Sequence, residues 1–230
     1  MRKLITTFIL IFSFFLCSQE PLFTLVDNSK TGINFSNELV DTKEHSIFLY
    51  ANYYGGAGVG IGDFDNDGLE DIFFAANLLD DKIYKNLGNF EFEDKTKMSG
   101  IINNGSWSTG VTVADVNNDG LLDIYVSCEL YDDAPVLRRN KLYINQGSFK
   151  FKESASDWGV DVDRRTRHSV FFDYNNDGLL DLYLLNHPPN TGNFSPFFGK
   201  DMSLPEYNLQ LFENKGNHFV DVTESAGLNR

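Results

Sequence analysis

Asp63, Asp65, Asp67 and Asp71 fall within nine residues, and closely similar segments return twice more along the chain. The three segments read GDFDNDGLEDIFF at 62–74, ADVNNDGLLDIYV at 114–126 and FDYNNDGLLDLYL at 172–184. Their leading aspartates, Asp63, Asp115 and Asp173, are separated by 52 and 58 residues. In the first segment side-chain oxygens stand at positions 1, 3, 5 and 9, Gly68 stands at position 6, and Leu69 can offer its carbonyl from position 7. The second offers Asp115, Asn117, Asp119, the Leu121 carbonyl and Asp123, and the third Asp173, Asn175, Asp177, the Leu179 carbonyl and Asp181. Hard oxygen ligands on a flexible loop suit calcium, whereas magnesium demands a stricter octahedron. Carboxylates held within a few ångströms also repel one another unless a cation neutralises them. The expectation is three structural calcium sites, each of roughly 10⁻⁴–10⁻³ M affinity as in extracellular modules. An EF-hand fails the same residues, because it needs a bidentate Glu at position 12 and flanking helices. Position 12 here is Phe74, Val126 and Leu184. Asp, Asn and Gly also make ordinary turns, but three matching copies with the same ninth-position aspartate argue for more than turn-making.

Such loops need rigid flanks, and the flanking sequence supplies short strands. Each aspartate segment is followed by a second shared piece: KIYKNLGNFEFEDKTKMSGI, KLYINQGSFKFKESASDWGV and QLFENKGNHFVDVTESAGL. A full unit reads as four strands. The first is small and alternating, as in residues 58–62, and the second follows the aspartate loop. The third carries Ile83-Tyr84, Leu142-Tyr143 or Leu211-Phe212, and the fourth carries Phe90-Glu91-Phe92, Phe149-Lys150-Phe151 or His218-Phe219-Val220. An Asn-x-Gly turn joins the last two, at Asn86, Asn145 and Asn214, where glycine supplies the positive φ of hairpin turns. A repeat of about 40–60 residues holding four antiparallel strands is the mark of a propeller blade. A β-sandwich also uses many short strands but gives no reason for the recurring loop. The fold class read from sequence is all-β: an open propeller arc of three four-stranded blades at about 57–101, 108–160 and 167–228. PLFTLVDNSKTGI near the N-terminus repeats the end of the second piece and is expected to add an outer strand. Residues 33–57 and 185–207 lie outside the repeat core, the latter as a long excursion.

The unit D-x-[DN]-x-D-G-x-L-x-D-[IL], followed by [IL]-Y-x-N-x-G and F-x-[DE] and ending in a Gly-aliphatic pair, resembles FG-GAP/VCBS repeats over roughly residues 21–230. Similar repeats build the seven-bladed head of integrin α chains, which implies a metal loop between the first and second strands of each blade. The pattern is also similar to exported bacterial VCBS proteins of the ASPIC/UnbV, cartilage acidic protein-like family. Two departures stand out. No ASPIC/UnbV segment is visible, and three units are fewer than the family's usual seven. The implied protein is the N-terminal part of something larger, and an arc with uncovered blade faces should be marginal or prone to association.

Residues 1–17 begin with Arg2 and Lys3 and continue through about thirteen mostly apolar residues, Leu4 to Leu16. That run is short for a bilayer span, and its charged start fits an export signal. Cys17 resembles the lipidated cysteine of bacterial lipoproteins, although Leu16 stands where the lipobox has a small residue; an anchor there would be the chain's membrane link. Localisation is therefore read as exported: cell surface, outer membrane, periplasm or secreted. Cys128, in the apolar run DIYVSC, reads as a small buried hydrophobe.

The chain carries 33 acidic against 19 basic residues over its 230, a net charge of −14. That balance repels phosphate backbones and argues against a nucleic-acid partner. The 21 Phe, 10 Tyr and 19 Gly fit strands and tight turns. The functional expectation is a non-catalytic module for binding, adhesion or scaffolding, with a protein or glycan as partner. The alternative is a catalytic propeller acting on polysaccharide as lyase or glycosidase, for which Arg164, Arg165, Arg167, His168 and His187 are the candidate groups. Glycan binding is favoured if Trp107, Trp158, Tyr53 and Tyr54 gather at one end; otherwise each Trp packs between blades.

Overall fold

The computed structural model describes residues 22–131, 134–188 and 209–228. Residues 1–17, expected to be an export signal, with Cys17, and residues 189–207 of the expected excursion lie outside them. Among the described residues twelve strands form three four-stranded antiparallel sheets, each a simple meander in chain order. The first holds β1 (Val59–Gly62), β2 (Asp71–Phe74), β3 (Lys82–Asn86) and β4 (Phe92–Asp94). The second holds β5 (Trp107–Ala114), β6 (Asp123–Glu129), β7 (Lys141–Asn145) and β8 (Phe151–Glu153). The third holds β9 (Thr166–Phe172), β10 (Asp181–Asn186), β11 (Gln210–Asn214) and β12 (Phe219–Asp221). In each sheet the ninth-position aspartate opens the second strand, paired with the last residue of the first: Gly62 with Asp71, Ala114 with Asp123, Phe172 with Asp181. This is a partial, open propeller.

The core lies between the sheets, because a strand's side chains alternate between its two faces. Ile124, Val126 and Cys128 of β6 join Phe64, Phe73 and Ile83 of the first blade. Tyr125 turns the other way and joins Leu182, Leu184 and Phe212 of the third. Every residue of β6 is accordingly buried. Cys128 behaves as the small hydrophobe expected. The outward faces of the end blades are barer: in β10 Leu185 is 46% exposed, while on β2 Phe74 is half-buried and Phe35 stacks on it at 5.2 Å.

Two expectations need correcting. The N-terminal copy adds no strand among the described residues. It forms one helical turn, α1 (Asn28–Thr31), capped by the Asp27 side chain and ended by Gly32. A fourth strand needs a third to pair with, and no described strand precedes β1. What survives is the turn that also closes later units, in α2 (Thr96–Ser99) and α3 (Ala155–Trp158). Each of the three turns ends in a left-handed glycine lying on the fourth strand of the next blade. A Cβ on Gly32, Gly100 or Gly159 would sit 2.7, 2.5 or 3.2 Å from the Phe92, Phe151 or Phe219 carbonyl oxygen. The N-terminal turn therefore caps blade one as blade one caps blade two. The second correction concerns the hairpins: Phe90 and Phe149 lie in left-handed turn conformations, at φ 61 and 58. Strands β4 and β8 start two residues later than expected, and Phe149 is buried between blades from its turn.

Candidate metal centres

The three aspartate loops adopt one conformation. The position-1 carboxylate accepts from the amides of positions 5 and 6: Asp63 from Asp67 and Gly68 (3.0 and 2.7 Å), Asp115 from Asp119 and Gly120 (3.1 and 2.8 Å), and Asp173 from Asp177 and Gly178 (3.1 and 2.9 Å). The position-5 carboxylate accepts from the position-7 amide, of Leu69, Leu121 or Leu179, at 2.9 Å each time. Positions 4 and 6 are left-handed in every copy. Asn66, Asn118 and Asn176 lie at φ 57, 57 and 60, and their glycines at 85 to 89. Asparagine and glycine are the residues that enter this region at least cost, which explains the invariant Asn-Asp-Gly core of the loop.

The ninth-position aspartates sit deepest. Asp71, Asp123 and Asp181 are almost wholly buried. Each accepts from the position-2 amide (Phe64, Val116 or Tyr174, at 2.9 to 3.0 Å) and from the amide of the hairpin asparagine (Asn86, Asn145 or Asn214, at 2.8 Å). Burial pushes the Asp71 carboxyl up to about 6 and that of Asp123 to about 7, and raises Asp181 as well, against the pull of these amides. Asp65 or Asp115 and their neighbours add further negative charge around them. Every oxygen so engaged keeps a second acceptor site, since a carboxylate offers about four in all.

The loops differ at position 3. In the first, carboxylate oxygens of Asp63, Asp65 and Asp71 lie within 4.8 Å of one another. Asp65 Oδ1 is buried with no hydrogen-bond partner. In the others Asn117 and Asn175 direct Nδ2 at the Asp119 and Asp177 carboxylates, 2.9 Å away, and no such carboxylate triad forms there among the described residues. The donor set is all oxygen, with one buried oxygen unsatisfied, and fits a hard divalent cation.

The groups considered for catalysis go elsewhere. Glu129, fully buried at the end of β6, receives the Tyr50 hydroxyl, the Arg167 guanidinium at 2.7 Å and the His187 ring. Arg165 is buried ahead of β9, Arg164 half-buried, and His168 exposed on β9. The convergence on Glu129 is not written in the repeat pattern, since Tyr50 lies outside it. Trp107 and Tyr53 do gather, with ring centroids 5.5 Å apart, and Tyr53 meets Tyr54 at 5.1 Å. Of these, Trp107 and Tyr53 are buried and Tyr54 is exposed. Trp158 instead packs on Phe219 at 5.8 Å, between blades two and three.

Three meander blades with an aspartate loop between their first two strands define an all-β repeat protein of the propeller class. Residues 63–126 match the model of the FG-GAP-like repeat. Cartilage acidic protein 1 of Xenopus tropicalis is 26% identical over 164 residues, which are 70% of this chain and 24% of that protein. The chain thus spans about a quarter of the length of the curated relative it matches. Residues 63–126 are thus similar to an FG-GAP-like repeat, and the chain is similar to part of cartilage acidic protein 1.

Proposed function

We propose that this chain is an exported, calcium-binding module of the propeller class whose role is binding, adhesion or scaffolding at the cell surface. The observation that carries the calcium reading is the first loop, where three carboxylates converge and Asp65 Oδ1 is buried without a partner. Asp63, Asp65, Asp67 and Asp71 would hold the ion there, with the Leu69 carbonyl; the equivalent residues of loops two and three would hold two more. Bound calcium supplies the charge that lets the carboxylates coexist, and so pins the β1–β2, β5–β6 and β9–β10 connections. Export is supported by the charged, apolar start of the sequence and by the FG-GAP-like match. Among the described residues no helix is long and apolar enough to cross a membrane.

The test is a thermal melt with calcium, after EDTA, and after calcium is restored. Ligand that binds only the folded state raises its stability by mass action, so the midpoint should rise, fall and rise again. A midpoint indifferent to all three overturns the reading. A binding role is favoured over catalysis because Glu129, the carboxylate that Arg167 and His187 approach, has no exposed surface and is fully engaged by protein groups. For a protein or glycan partner the candidate surface is a cavity of about 340 Å³ lined by His45, Tyr50, Tyr53 and Tyr131, with Glu44 and Ser46 at hand. Aromatic walls with few polar groups suit an amphipathic ligand. The net charge of −14 disfavours nucleic acid.

A further inference from the structure

We propose that the residue just before the hairpin asparagine sets the calcium affinity of each loop, so that the three sites fill in order, the third first and the first last. This rests on the calcium reading above and adds a ranking to it. The position is Lys85 in the first blade, Ile144 in the second and Glu213 in the third, on β3, β7 and β11 beside the aspartate loops. One framework therefore carries a cation, a neutral group and an anion at the same point.

In the first blade Lys85 Nζ is bonded to Asp65 and lies 2.7 Å from Asp67 Oδ2. It also stands 5.5 Å over the Phe149 ring of the next blade. Its ammonium already engages the carboxylates of positions 3 and 5, so an incoming divalent ion must first displace a tethered cation. A binding-competent state that has to be released in this way lowers apparent affinity by the fraction in which it exists. In the second blade Ile144 brings no charge and the loop has its three aspartates alone. In the third, Glu213 Oε1 accepts from Asn175 Nδ2 at 3.0 Å, which places a further carboxylate one hydrogen bond from position 3. Its partner Lys215, at 2.6 Å, is 43% exposed against 18% for Glu213, and a solvent-screened lysine offsets that charge only in part. Lys85 also stands opposite the one loop with an aspartate at position 3. Without Lys85 that loop would hold four carboxylates against three, and the first site would rise to or above the second.

The experiment uses the whole chain and reads each site separately. The amides of Gly68, Gly120 and Gly178 each donate to the position-1 carboxylate of their own loop, so their NMR signals report the loops one by one during a calcium titration. In the unaltered chain Gly178 should respond first and Gly68 last, with about tenfold or more calcium needed between those two. Lys85→Ile copies the second blade and should lower the Gly68 midpoint at least about tenfold, with a much smaller change at Gly120, whose carbonyl accepts from Asn66 of the first loop at 3.0 Å. Glu213→Ile should raise the Gly178 midpoint. Lys85→Gln and Glu213→Gln serve the same purpose if an isoleucine variant does not fold. Equal midpoints in the unaltered chain, or a Gly68 midpoint unmoved by loss of Lys85, overturn the ranking. Silence of all three glycines to calcium overturns the metal reading itself.

Discussion

Asn145 and Phe64 belong to different blades, yet the Asn145 Nδ2 donates to the Phe64 carbonyl at 2.9 Å. The same amide donates to Leu122 at 3.0 Å, and its Oδ1 accepts from Gly147 at 2.9 Å. One hairpin asparagine thus fixes its own turn, its own aspartate loop and the loop of the preceding blade. Asn214 repeats the arrangement with Val116, Leu180 and Gly216. Asn86 reaches Glu70 and Gly88 within its own blade. The aspartate loops are coupled along the arc by these struts.

Removal of a cross-blade strut should therefore cost more than removal of Asn86, whose bonds stay within its own blade. Asn145→Ala strands the carbonyls of Phe64 and Leu122, and should lower stability by about 2–3 kcal/mol. Asn86→Ala, with one carbonyl lost in a more exposed setting, should cost about 1 kcal/mol. Urea unfolding of the two variants checks the difference, and equal losses would show that the cross-blade bond is idle.

Asp119 separates metal binding from folding. It is exposed, and its interactions stay within its own loop, to Leu121, Asn117 and Asp115. Asp119→Ala should change the stability of the calcium-free chain by less than about 1 kcal/mol. The gain in melting temperature on adding calcium should shrink, because the second loop loses a ligand. A calcium response equal to that of the unaltered chain would remove Asp119 from the site.

The blades, their order and the aspartate loops were legible in the sequence because each is written locally: a two-residue alternation, an Asn-x-Gly turn, a spaced run of oxygens. What escaped reading depends on neighbours. The N-terminal copy looks like strand and turn, but only the turn forms, since strand pairing needs a partner that the local residues do not specify. The strut role of Asn145 depends on Phe64, in the preceding blade, and the Glu129 cluster draws Tyr50, Arg167 and His187 from three separate segments. Lys85, Ile144 and Glu213 were visible as letters, but their meaning needed the register that sets β3, β7 and β11 beside the loops.

Asp81 gives a pH dependence independent of calcium. It is buried between the first two blades, accepting from the Ala76 amide at 2.8 Å, Asn103 Nδ2 at 3.0 Å and the Ser108 hydroxyl at 3.2 Å. Burial pushes its carboxyl up to about 6 from 3.8, outweighing the opposing charge of Lys141 from the second blade. A carboxyl with the higher pKa when folded binds its proton more tightly in that state. Its favourable contribution is complete below 3.8 and is lost as pH rises through about 6. The second blade shows the neutral solution: Asn140 accepts from the Cys128 amide at 2.8 Å and donates to Thr166 at 2.8 Å. Asp81→Asn should therefore fold, and gain about 1–3 kcal/mol over the unaltered chain at neutral pH but little near pH 4. Urea midpoints at the two pH values, with EDTA present, decide it; a gain that does not change with pH would sink the idea.

The terminal turns allow a matched comparison of glycines. Gly100 and Gly227 share a left-handed backbone, at φ 81 and 73, so alanine at either position carries the same conformational cost of about 1 kcal/mol. They differ in what lies beyond. A Cβ at Gly100 would meet the Phe151 carbonyl oxygen at 2.5 Å, whereas at Gly227 no atom of the described residues stands within 4 Å. Backbone cannot swing aside as a side chain can, so Gly100→Ala must push the closing turn of blade one off β8 and open the core between the blades. It should cost about 2–4 kcal/mol, and Gly227→Ala about 1 kcal/mol. Comparable losses would mean that the turn of one unit does not clamp the next blade, leaving the apolar core and the asparagine struts to hold the arc.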